Sequence, residues 1–170
     1  MASESYGPGP GPVISLQEIT ADTVRAVVAL EVHPEQRAHV APNSVSLAEA
    51  LFNKGAWFRA VYAGEEPVGF VMLFDPTVEG AEPRGPVRTD QMGLWRLMID
   101  RRHQRRGIGR QALDLVCEHV RRRPGFNELL SSYVPGEHGP EAFYMRYGFR
   151  RTGQLRNDNE EIEIVLPLTR

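Results

Sequence analysis

Leu94-Trp95-Arg96-Leu97-Met98-Ile99-Asp100, followed by Arg101-Arg102-His103-Gln104-Arg105-Arg106-Gly107-Ile108-Gly109, is the stretch on which the reading of the fold turns. The first seven residues read as a strand. From Ile108 onward, apolar residues recur at Leu113, Val116 and Val120, the spacing of an amphipathic helix. A strand, a basic turn with glycines and a helix together make an anion-binding element. The start of a helix offers backbone N–H groups without internal partners, at the positive end of its dipole. Gly107 and Gly109 leave room for a ligand oxygen to approach the backbone. A pyrophosphate would sit there.

Outward from this turn, further elements follow. Leu129 to Val134 reads as a fifth strand, parallel to the fourth because a helix joins them. Gly139-Pro140-Glu141 opens a short helix ending at Gly148, with proline near its first position. Phe149–Leu155 and Glu161–Leu166 form a closing hairpin around Asn157-Asp158-Asn159. Toward the N-terminus, Trp57–Tyr62 and Val68–Phe74 read as antiparallel strands joined at Gly64-Glu65-Glu66-Pro67. Residues 75–90, with three prolines, are too long for a tight turn and read as a mobile substrate-side flap. Val13–Ile19 alternates as a first strand. Thr20-Ala21-Asp22 offers caps for a helix carrying Val24, Val27, Val28 and Val32 and stopping near His33, ahead of Pro34. Ser46 caps a second helix that Gly55 ends. The glycine–proline run through Pro12 makes residues 1–12 a disordered leader, and 13–168 a single domain. The expected fold is α/β, a mostly antiparallel sheet with a parallel pair at its centre.

Composition narrows the function. The chain of 170 residues is 41% apolar and 25% charged, ordinary for a globular domain. A net charge of -2 gives no global attraction to nucleic acid or to an anionic membrane. No apolar run is long enough to span a bilayer, and no secretory leader is recognisable. The single Cys117 falls in the main helix, where a buried thiol is expected, and implies a reducing, cytoplasmic setting. The five histidines are scattered, so no metal site is expected.

Gln104-x-x-Gly107-x-Gly109, followed about forty residues on by Phe143-Tyr144-Met145-Arg146-Tyr147-Gly148-Phe149, resembles the GCN5-related N-acetyltransferase family. The resemblance extends over roughly residues 13–168. Trp95–Asp100 and Ser132-Tyr133-Val134-Pro135-Gly136-Glu137 look like bacterial members grouped with spermine/spermidine (diamine) acetyltransferases. It implies acetyl-CoA as co-substrate, splayed fourth and fifth strands, and a pantetheine arm along the backbone of Leu97, Met98 and Ile99. It also implies a pyrophosphate cradle at Gln104, Arg105, Arg106, Gly107, Ile108, Gly109 and Arg110. A homodimer is expected by family analogy.

Tyr144 is the expected catalytic group. Attack of an amine on a thioester expels a thiolate, and a phenol with a reference pKa near 10 is neutral at pH 7, so it can donate to the sulfur. The amine arrives protonated and must lose a proton. Many relatives place a carboxylate on the fourth strand; this chain has Trp95 and Arg96 there. Glu31, Glu35, Asp90 and Glu137 are candidate bases, and Glu31, Glu35 and Glu137 the expected contacts to a small-molecule amine, for which a polyamine such as spermidine is the leading expectation. Other amines (a protein N-terminus, an aminoglycoside, an amino acid) and a non-catalytic acyl-CoA-binding module are the alternatives.

Overall fold

The computed structural model describes residues 11–158 and 160–168. Most of the expected leader and Asn159 of the last turn lie outside that range. Seven strands form one sheet in the order β1-β2-β3-β4-β5-β7-β6. They are β1 (Ile14–Gln17), β2 (Ala56–Ala63), β3 (Glu66–Phe74), β4 (Gln91–Ile99), β5 (Glu128–Tyr133), β6 (Arg150–Arg156) and β7 (Glu161–Pro167). Every neighbouring pair is antiparallel except β4 and β5, which are parallel and central. The helices are α1 (Val24–Val28), α2 (Asn43–Leu51), α3 (Ile108–Arg121) and α4 (Glu141–Tyr147).

The two faces of the sheet are covered unequally. Leu113, Val116 and Val120 of α3 pack with Met92 and Leu94 of β4 and with Leu129, Tyr133 and Ile164, and Tyr144 and Phe149 close the same core. On the other face Val27 and Leu30 pack on Ala60, Tyr62, Phe70, Met72 and Met98. No helix among the described residues covers that face over β5, β7 and β6; β6 is exposed almost throughout.

A bulge in β4 changes which side chains share this face. Met72 pairs with Arg96 and Leu73 with Leu94, leaving Trp95 as an extra residue. An extra residue shifts the alternation of side chains by one. Before it, Met92 and Leu94 point to the α3 face; after it, Leu97 and Ile99 do. Trp95 and Arg96 therefore stand together on the opposite face, a placement that strict alternation forbids.

Several local expectations need correction. The first helix is a single short turn that ends at Val28, and Val32 lies beyond it. A 3-10 turn, Pro34–Gln36, follows instead. Ser46 does not cap α2, which begins at Asn43; Ser46 is buried inside it. Gly55 is not its terminator, since Phe52 is the C-cap. Its need for glycine is steric: a Cβ there would stand 2.7 Å from both the Asp75 carbonyl and the Phe74 ring. Pro140 is the N-cap of α4 rather than its first helical residue. Residues 75–90 form neither strand nor helix, but the segment is fastened: Asn53 donates to the Glu82 carbonyl (2.8 Å), Arg84 pairs with Glu49 (2.9 Å), and Arg156 donates to the Pro86 carbonyl.

Candidate active site

Parallel pairing of β4 and β5 covers only Gln91–Glu128, Met92–Leu129 and Gly93–Leu130. Both strands continue after the pairing stops, so they diverge and leave β4 with an open edge from Leu94 onward. A cavity of about 1230 Å³ occupies this gap and runs across it. Leu97, Met98, Ile99, Gln104, Arg105, Gly107, Gly109, Arg110 and Tyr144 all line it. Arg106 does not, and Ile108 is buried against the β1–β3 side of the core, so only its backbone is free for a ligand.

At one end of the cavity lies the glycine turn. Arg105 (φ 60) and Gly107 (φ 76) both adopt left-handed backbone, a geometry that turns successive N–H groups into one concavity. Gly107 caps α3 without any side-chain acceptor, so the first N–H groups of that helix stay open to a ligand. The two glycines have different jobs. Gly107 faces open space and supplies the positive φ; a Cβ on Gly109 would meet the Phe143 ring at 3.2 Å. Only the first fits the expectation of room for a ligand oxygen. Gly109 makes room for α4.

Gln104 is already engaged. Its side-chain nitrogen donates to the Ile99 carbonyl (2.9 Å) and to Gln36 Oε1 (2.8 Å), and Gln36 donates back (3.2 Å). The side chain thus ties the 3-10 turn to the glycine turn, and also takes up one carbonyl of the expected pantetheine strand. Across the cavity, His39 places its two ring nitrogens 3.0 Å and 3.1 Å from the carbonyls of Val134 and Glu137. Residues 33–41 are therefore a strap fixed to both banks. The sequence carried no recognisable signal for this, because each bond joins residues at least 68 positions apart.

Tyr144 is buried among Tyr133, Phe143 and Phe149, with ring centroids 5.1–6.5 Å away. Burial pushes its phenol up to about 12, and the neighbouring Ser131 hydroxyl works the other way. It therefore holds its proton throughout the physiological range. Tyr147 is bonded elsewhere: it donates to Asp114 (2.8 Å) and lies 3.5 Å from the Cys117 sulfur. Cys117 is buried, and burial raises its thiol above the ordinary value, which disfavours the thiolate form.

The acidic candidates separate. Glu35 lines the cavity. Glu31 does not; its carboxylate sits between Arg37 (3.6 Å) and Arg101 (4.0 Å). Glu137 is exposed and outside the lining, and Asp90 is held by Arg88. Glu161 lines the cavity, accepting from Ser132 and from Asn157 Nδ2 (2.6 Å). Its alternation in β7 with buried Ile164 could have placed it on the open face. Among the described residues no His, Cys, Asp or Glu cluster could hold a metal, and no helix is long and apolar enough to cross a membrane.

Known proteins resemble this chain in sequence and in fold. The chain is 25% identical over 155 residues to the spermine/spermidine N(1)-acetyltransferase of Bacillus subtilis (strain 168), covering 89% of this chain and 97% of that protein. Its fold is similar to that of the aminoglycoside acetyltransferase AAC(6')-Ib, solved with coenzyme A, at a TM-score of 0.74 and 12% identity over 91% of this chain and 95% of that one. It also resembles the ribosomal-protein-S18-alanine N-acetyltransferase of Escherichia coli, with TM-score 0.61 and 19% identity over 93% and 96% of the two chains. The profile of the acetyltransferase (GNAT) family matches residues 16–149, which contain both the glycine turn and the Tyr144 helix, and the chain belongs to that family.

Proposed function

We propose that this acetyltransferase moves the acetyl group of acetyl-CoA directly to a primary amine, with the pyrophosphate at the α3 start and Tyr144 as proton donor to the leaving sulfur. Acetyl-CoA supplies the activated acyl group. The open N–H groups at Gly107–Gly109, with Arg105 and Arg110 on the lining, suit a pyrophosphate by charge and by donor geometry. The free edge of β4 beyond Gly93 suits an extended amide-bearing arm. In the transfer, an N–C bond forms as the C–S bond breaks. The neutral amine loses one N–H proton as the N–C bond forms, the phenol of Tyr144 gives its proton to the departing thiolate, and the proton from nitrogen restores the phenol through solvent.

The observation that carries the reading is the placement of a protonated, buried Tyr144 on the wall of a cavity that begins at the glycine turn. Substituting Tyr144→Phe removes the proton and keeps the ring packing. Turnover measured as CoA thiol release is expected to fall about 10²-fold or more, while CoA still raises the melting temperature. Unchanged turnover would remove Tyr144 from the mechanism. Because the phenol stays protonated up to about 12, kcat/KM should rise with pH toward the pKa of the amine, with no fall from Tyr144 below it. The B. subtilis relatives, by name a spermine/spermidine and a probable spermine N(1)-acetyltransferase, support a polyamine as one class of acceptor.

A further inference from the structure

The floor of the cavity beyond Tyr144 is built from charged side chains on the open face of the sheet. The β4 bulge delivers Trp95 and Arg96 there, and the 75–90 segment delivers Arg84. Both guanidinium groups lean over the Trp95 ring, at 5.3 Å and 5.7 Å from its centroid. Both also reach one carboxylate: Glu49 lies 2.9 Å from Arg84 and 3.1 Å from Arg96. Glu49 stands behind them, outside the lining. Two cations thus share one anion. Arg96 is the more deeply set, with only 20% of its side chain exposed. Its Nε is buried and has no hydrogen-bond partner among the described residues. An orphaned buried donor on a cation is costly and leaves the Arg96 charge short of compensation, so a further negative charge beside the guanidinium is favoured.

The rest of the floor sets the other half of the requirement. Arg156 is occupied one-to-one by Glu163. Glu161 lines the cavity with hydrogen bonds from Ser132 and Asn157 but no ion pair to an arginine within contact distance among the described residues. The floor therefore sets two guanidinium groups that share Glu49 beside a carboxylate, Glu161, whose charge acts on Arg96 without a direct ion pair among the described residues. A polycation would bring several ammonium groups to a floor where Glu49 and Glu163 are already engaged by arginines and only Glu161 is left to receive one of them.

We propose that the acceptor is a small molecule carrying both a primary amine and a carboxylate, the carboxylate received by Arg96 and Arg84 and the ammonium drawn to Glu161. This rests on the transfer reading above and narrows it to an amino-acid class of acceptor. Glu161, drawn to the ammonium, is then also a lining carboxylate placed to accept its proton before attack.

The test uses the full chain, acetyl-CoA and CoA thiol release with a series of ω-amino acids of increasing length, alkylamines of matched length, and spermidine. These amines have similar basicity, so differences report the second charge. At least one amino acid is expected to exceed its matched alkylamine and spermidine in kcat/KM by about tenfold, the scale of one charge-assisted hydrogen bond. Arg96→Gln should collapse that ratio toward one through a raised KM for the amino acid. Arg84→Gln, at an exposed side chain, should lower it without risk to folding. A CoA-dependent rise in melting temperature certifies each variant as folded. Alkylamines or spermidine turned over as well as every amino acid, or a ratio unmoved in both variants, would overturn the acceptor class and leave the transfer reading standing. No CoA release with any amine, despite CoA binding, would overturn the transfer itself and this inference with it.

Discussion

At the level of single residues, the turn between β4 and α3 separates into two glycines with different physics. Gly107→Ala would force a side chain into left-handed backbone with nothing around it to clash, so the loss is pure strain, about 1–2 kcal/mol. Gly109→Ala has no such strain and gains helix propensity, but its Cβ would press on Phe143 beside Tyr144. Thermal melts and turnover should therefore divide: Gly107→Ala loses stability, whereas Gly109→Ala stays nearer to wild type in stability and loses turnover. A second residue predicts a pH effect. Burial, then the charges of Arg123, Arg59 and Arg122, hold the His119 ring below its usual 6.5, and the ring stacks on Trp57 at 4.1 Å. The unfolded chain then binds this proton at higher pH than the folded one. The stability contributed is complete above about 6.5 and is lost as pH falls through the lower folded value. His119→Phe keeps the stack and removes the proton site, so its melting temperature should fall less than wild type between pH 7 and pH 5. Parallel pH curves for the two proteins would refute the assignment.

Among the elements, the strap over residues 33–41 joins parts that chain order keeps apart. The Gln36–Gln104 pair ties it to the glycine turn, and His39 ties it to the loop between β5 and α4. A double-mutant cycle on Gln36→Ala and Gln104→Ala should return a coupling of about 0.5–1.5 kcal/mol in stability, and CoA affinity should weaken in each single variant. Additive effects would show the two amides to be neighbours without consequence. The same segment shows where sequence reading runs out. Strands and α3 were legible because alternation and helical period are local properties, and Gln104–Gly109 with Phe143–Phe149 carried the family. Bonds between distant residues, such as Gln36 with Gln104, leave no local period. The β4 bulge was hidden for a related reason: Trp95 and Arg96 sit in an apolar run, and only the pairing with Met72 and Leu73 reveals the extra residue. Local signals also misled at Gly55, which looks like a helix end and is a close-packing site, and at Ser46, a good cap residue that is buried within α2.

Across the whole molecule, the sheet is two blocks joined by a narrow seam. β1 to β4 with α1, α2 and α3 form one block, and β5, β7 and β6 with α4 form the other. Three residue pairs of parallel pairing connect them before the strands part. Ser131 Oγ donates to the Leu94 carbonyl across the start of the gap (2.9 Å), and the shared core around α3 carries the rest. A ligand in the gap would touch both blocks, and a ligand that binds only the folded state stabilises it by about 2.7 kcal/mol at a hundredfold excess over Kd. The gain should be concentrated rather than uniform. Backbone amides along the open edge of β4, from Leu97 to Ile99, and on β5, from Ser131 to Tyr133, lack mutual strand pairing without it. Hydrogen exchange with and without CoA is therefore expected to slow most at these segments and at Gly107–Arg110, with β1 and β2 little changed. Slowing spread evenly over all seven strands would mean that CoA stabilises the fold globally without bridging the seam. Slowing confined to the glycine turn would mean that only the pyrophosphate end is held, and the pantetheine arm does not lie along β4.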